Sequence, residues 1–206
     1  MIDKLLSFLQ LFKHIPAVDQ AIIGRAFETK EFNEGDYLFK GGKVCQSRFF
    51  ICDGVLRIVV HNEKGNEVTH YFLKENQFCT ILNSFNNLVP AHESIQAACK
   101  TTVSEISRTR LLALYEQLPY IKELIDEITQ QALIDKVQIR NAYLGQDSTT
   151  RYKLFLMRQA DIALRVPLND IASYLGITPQ SLSRIRKNIR WLAPDFLFIN
   201  FIIAVK

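Results

Sequence analysis

LNDIASYLGITPQSLSRIRK, residues 168 to 187, decides the reading of the C-terminal part of the chain. Ile171, Ala172, Leu175, Ile177, Leu182 and Ile185 fall at helical spacing on either side of Gly176, which predicts two short helices whose buried stripes face each other. Ala172 is methyl-sized where two crossing helices approach closely, and Gly176 can take the left-handed conformation that stops the first helix. Thr178 can cap the free amides of a second helix, and Pro179 is tolerated at its first position. The outward positions Thr178, Gln180, Ser181, Ser183, Arg184, Arg186 and Lys187 form a donor-rich set able to reach phosphates and base edges in a major groove. A plain helical hairpin with a solvated basic face would explain the charge. It would not explain small, turn, cap and apolar residues each standing where a helix-turn-helix needs them.

Charge is distributed in agreement with this. The 206 residues carry a formal net charge of only +4. Between 151 and 190, however, Arg151, Lys153, Arg158, Arg165, Arg184, Arg186, Lys187 and Arg190 stand against Asp161 and Asp170 alone. Such concentration is the electrostatic footprint of a polyanion partner, here double-stranded DNA.

With 22% charged and 48% hydrophobic residues the chain is globular rather than disordered. Cys45, Cys52, Cys79 and Cys99 show no paired metal spacing and read as reduced thiols, which suits a cytoplasmic protein. The N-terminal stretch has no secretory cleavage pattern, and FLFINFIIAV at 196 to 205 is too short to span a bilayer, so no membrane partner is expected.

Along the chain, short helices are predicted at about 3–12 and 17–27. From about 30 to 108, β-branched and aromatic runs alternate with turn residues such as EGD (34–36), GG (41–42), DG (53–54) and NEKGN (62–66), which predicts an antiparallel sandwich or barrel. Apolar residues then recur at intervals of three and four over 109–145, a helical region broken near Pro119. Its stripe, with Ile121, Ile125, Ile128 and Ala132, is expected to form a two-helix dimer interface; the alternative is packing on the β domain. The fold class is α+β: an effector-sensing β-roll with short N-terminal helices at 1–118, a central dimerisation helix at 119–145, and a helix-turn-helix domain with an apolar tail at 146–206.

This order of elements, with EGDYLFKGG (34–42), FFICDGVLRI (49–58) and the helix pair at 168–187, resembles the Crp/Fnr family of bacterial transcription regulators over nearly the full length. The resemblance implies a cyclic-nucleotide-binding-like roll, a homodimer on a palindromic DNA site, an effector that acts through the central helices, and RNA polymerase as a further partner.

Departures from the family shape the functional expectation. Nucleotide-binding members carry a Gly-Glu pair and, about ten residues on, an Arg followed by Ser or Thr. Here Cys79 and Thr80 stand near the first position, Ala91 and His92 near the second, and residues 78 to 97 contain no arginine. Without that bidentate partner for a cyclic phosphate, cyclic-AMP binding of the usual kind is not expected. Cys79, Thr80, Ala91 and His92 remain the candidate effector pocket, for an apolar or uncharged small molecule or for none. The cysteines are scattered and begin at Cys45, against an iron-sulfur cluster, and a lone Cys79 and His92 are a poor haem pair. No cofactor or metal is expected. In the DNA-reading helix Pro179 and Gln180 replace the family's arginine and glutamate, while Arg184 keeps the third contact position, so the site sequence should differ.

No enzyme is expected. His14, His61, His70 and His92 are isolated, and no nucleophile motif or phosphate-cradling glycine loop occurs. The other reading is a β-roll effector-sensing or protein-interaction module without specific DNA recognition. The stretch WLAPDFLFINFIIAVK (191–206) replaces the family's glycine-turned hairpin; a strand over 196–205, pairing near Ile162 to Val166, is expected there.

Overall fold

Strand alternation decides how the first half of the chain packs. In β3 (Ser47–Asp53), Phe49 and Ile51 enter one apolar cluster while Phe50 and Cys52 enter another, so the strand is buried on both faces. The computed structural model describes residues 2–192. Its β-roll consists of β1 (Glu28–Phe32), β2 (Tyr37–Phe39), β3, β4 (Leu56–His61), β5 (Glu67–Leu73), β6 (Phe78–Cys79), β7 (Ser94–Ala97) and β8 (Thr101–Ser107). These form two antiparallel four-stranded sheets, ordered β1-β8-β3-β6 and β2-β7-β4-β5. Phe39, Phe49, Ile51, Leu56, Ile95 and Val103 fill the space between the sheets. Burying each of these larger side chains contributes roughly 1.5–3 kcal/mol. Gly54 makes the β3–β4 turn at φ +98°, where a Cβ would lie 2.4 Å from Thr101 Oγ1, so no other residue fits.

The second face of β3 is covered by helices. α1 (Ile2–Gln10) and α2 (Ala17–Ala26) precede the roll; after α3 (Leu82–Asn87) within it, α4 (Arg108–Gln117) and α5 (Pro119–Tyr143) follow β8. Ser107 caps α4 by accepting from the Arg110 amide, and Pro119 sits at the first position of α5, which is why the helical region breaks there. Leu5, Leu9, Phe50, Leu111, Ile121, Leu124, Ile125 and Ile128 share one core. This corrects the expectation for α5: Ile121, Ile125 and Ile128 do not face a second chain but are buried within this one, and Ala132 is half-buried at the end of that stripe. Their period told of burial without telling against what. Past this point α5 turns a different apolar set outward, with Leu133, Ile134 and Val137 exposed.

Asp147 accepts from the Thr149 and Thr150 amides and starts α6 (Ser148–Arg158), followed by α7 (Ala160–Arg165), α8 (Leu168–Tyr174) and α9 (Pro179–Leu192). The run from Ile162 is thus helical rather than a strand; Ile162 and Ala163 bury the inner side of α7. The expected strand at 196–205 lies outside the described residues. No described helix is long and apolar enough to cross a membrane.

Candidate nucleic-acid interface

The α8–α9 pair is set by its turn. Gly176 has φ +66°, its N–H donates to Ser173 O at 3.1 Å, and the Ile177 N–H donates to Ala172 O at 3.0 Å, a left-handed helix stop that satisfies the last carbonyls of α8. Thr178 then opens α9: its Oγ1 accepts from the Ser181 amide at 3.1 Å and donates to Ser181 Oγ at 2.9 Å. Ala172, Leu182, Ile185 and Ile189 lie in the core between the helices, together with Phe155 of α6.

That packing sorts the predicted contact residues. Gln180, Ser183, Arg184 and Lys187 are exposed along one face of α9, and Asn188, which the sequence reading passed over, extends the same stripe. Thr178 and Ser181 are occupied with the cap. Arg186 is half-buried and donates to the Tyr152 hydroxyl of α6, so its guanidinium turns inward rather than toward a phosphate backbone. Burial raises the Tyr152 pKa, and the Arg186 charge offsets part of that rise.

The first helix of the pair is docked on the roll. Arg57 of β4, 9% exposed, donates through Nη1 to Asp170 of α8 at 2.7 Å, through Nη2 to Glu67 at 2.9 Å, through Nε to Gln96 at 2.7 Å, and to Thr69 at 3.0 Å. The Thr69 amide of edge strand β5 donates to Ser173 Oγ of α8 at 2.9 Å. Arg165 of α7 grips Glu75 with both Nη atoms, and Lys74 reaches Asp161 at 2.6 Å. Val55, Phe72 and Ala98 of the roll complete the helical core, with the Phe72 ring edge-on to Tyr174 at 5.2 Å.

The predicted effector residues do not converge. Cys79 and Ala91 are buried in the roll core, Thr80 lines a cavity facing α1 and α5, and His92 is exposed at an open depression beside Gly41 and Gly42. Burial pushes the Cys79 thiol up to about 12, so it stays protonated. Lys136 of α5 lies over the Tyr71 ring at 4.9 Å, its pKa lowered by burial. A cyclic phosphate needs several donors aimed at one point. These four residues aim no such set of donors at one point.

Similarity to known proteins agrees with this architecture. Residues 29–118 match the cyclic nucleotide-binding domain family. The chain is 23% identical to the transcriptional activator protein Anr of Pseudomonas aeruginosa over 167 residues, 76% of this chain and 68% of Anr. A Crp/Fnr-family transcriptional regulator from Eubacterium rectale superposes with a TM-score of 0.70 at 15% identity, covering 96% of this chain and 99% of the other. CLP, the c-di-GMP-responsive global regulator of Xanthomonas campestris, does so with 0.68 at 16%, covering 85% and 92%. Fold and site define a β-roll joined to a helix-turn-helix pair. Residues 29–118 carry a cyclic nucleotide-binding domain, and the chain as a whole shares the fold of a Crp/Fnr-family regulator.

Proposed function

We propose that the protein is a sequence-specific DNA-binding transcription regulator that acts as a homodimer on a palindromic site and does not bind cyclic AMP in the usual way. The observation that carries this is the exposed stripe Gln180, Ser183, Arg184 and Lys187 on a helix whose start and crossing are fixed by Thr178 and Gly176. Arg184 reads a base edge, Gln180 suits adenine, and Lys187 and Ser183 bond phosphates. Dimerisation uses the outward set of α5, where Ile134 and Val137 are exposed three residues apart. RNA polymerase is the expected further partner.

Selection from a random double-stranded DNA library tests the reading. A two-fold symmetric motif with half-sites about one helical turn, roughly 34–36 Å, apart is the expected result. Steep salt dependence without an enriched motif would favour a sensing module that no longer reads sequence.

A further inference from the structure

Arg48 stands in β3 on the face opposite Phe49 and Ile51, so it points away from the roll interior and toward the helices. It is only 5% exposed. Nη1 donates to Thr129 Oγ1 of α5 at 3.3 Å, the guanidinium lies 5.3 Å from the centre of the Phe85 ring, and Nε has no hydrogen-bond partner. Among the described residues no carboxylate comes within ion-pair distance of it. Asp126 acts on it only through space and is itself paired with Lys122 at 2.6 Å. An arginine remains a cation in a protein, and a buried cation without an anion is costly unless something completes it.

Arg48 and Thr129 also line a cavity of about 170 Å³ between α1, β6 and α5. The rest of its wall is mainly apolar, with Phe8, Phe78, Leu82 and Ile128. Lys136 adds a second cation; Asp135, the carboxylate of the rim, is exposed and accepts from Gln131 at 2.9 Å. A space of this order holds one aromatic ring with a short substituent, since an engineered cavity of about 150 Å³ takes benzene.

We infer that this cavity is a binding site for a small amphipathic organic anion, whose carboxylate or phosphate pairs with Arg48 and whose apolar body lies against Phe8, Phe78 and Ile128. The head group would supply at the guanidinium the counter-charge that Thr129, a neutral hydroxyl, does not. The site lies outside the roll interior and is distinct from Cys79 and Ala91. Because Ala132 and Leu133 share its wall, occupancy bears on α5 just where that helix turns its exposed apolar set outward.

Thermal denaturation of the full chain, without DNA, tests this independently of DNA recognition. Millimolar phenylacetate or phenyl phosphate should raise the melting temperature of the wild type by several degrees, the scale expected when ligand exceeds its Kd, while phenylacetamide and inorganic phosphate should not. Whichever of the two anions is more effective identifies the head group. R48M should abolish the shift and, unliganded, melt no lower than the wild type. The inference is overturned if neither anion produces a shift, if the amide or inorganic phosphate produces an equal one, if the shift persists in R48M, or if unliganded R48M is destabilised, which would make Arg48 a structural residue.

Discussion

Arg57 Nη1 and Asp170 Oδ1, 113 residues apart in the chain, meet at 2.7 Å and join the β-roll to α8, the first helix of the helix-turn-helix pair. Both side chains are largely withdrawn from water, and Arg57 is held by three further acceptors, so the contact is a junction rather than a surface ion pair. Arg57→Ala should cost about 3–5 kcal/mol by leaving Glu67 and Asp170 without their cation. A double-mutant cycle with Asp170→Ala, read by urea denaturation, should give a coupling of about 0.5–3 kcal/mol; additive losses would show that the pair contributes nothing.

Glu75 provides the pH dependence of the same junction. Burial works against its carboxylate, but the Arg165 guanidinium and the Gly54 amide outweigh it and hold its pKa below the usual 4.5. Because the folded-state value is depressed, the stabilisation is present above the unfolded pKa and is lost as pH falls through the folded one. Glu75→Gln should therefore flatten the loss of stability as pH falls below about 5, measured by denaturant titration at each pH.

On the α9 face, charge and position separate two roles. Arg184→Ala should weaken DNA binding by about 1–3 kcal/mol and relax preference at one base pair per half-site. Lys187→Ala should weaken all sequences alike and reduce the salt slope by about 1. Arg186→Ala, by contrast, should lower thermal stability through loss of the Tyr152 contact, with a smaller change in affinity at matched folded fraction. Equal behaviour of the three in binding titrations would contradict this division.

The two halves of α5 should also respond differently. Ile125→Ala, inside the core, should destabilise the fold by about 2–5 kcal/mol. Ile134→Asp, on the exposed set, should leave the fold intact and weaken self-association in sedimentation equilibrium.

Thiol reactivity reports on the roll. Cys45, Cys52 and Cys79 are buried and Cys99 is partly exposed. An alkylating reagent at neutral pH should label Cys99 first, with Cys79 reacting only on unfolding; early labelling of Cys79 would place it in an open pocket.

What could be read from sequence was local. Gly176, Thr178 and Pro179 announce the helix pair because turn and cap chemistry involves residues within a few positions of each other. The strand runs around Phe49 and Val59 are similarly self-evident, as is the break at Pro119. The partner of an apolar stripe is not local: Ile121, Ile125 and Ile128 show the right period for any buried face, and only folding assigns them to their own roll. Ile162–Val166 was ambiguous as a short apolar run, and Leu168 onward gave no sign that α8 would seat on β5. Arg48 and Arg57 gave no signal either. A cation within a strand reads as a solvent-facing position until its neighbours, tens of residues away, enclose it.

Ser173 on the Thr69 amide has a mechanical meaning for the whole molecule. β5 is the last strand of its sheet, and α8 covers that edge at Thr69. Swinging that helix wholly away would bare a template to which another chain could add a strand. Any reorientation that brings two copies of α9 into register on DNA is therefore confined to a pivot that keeps α8 over β5, or needs a second surface to take its place.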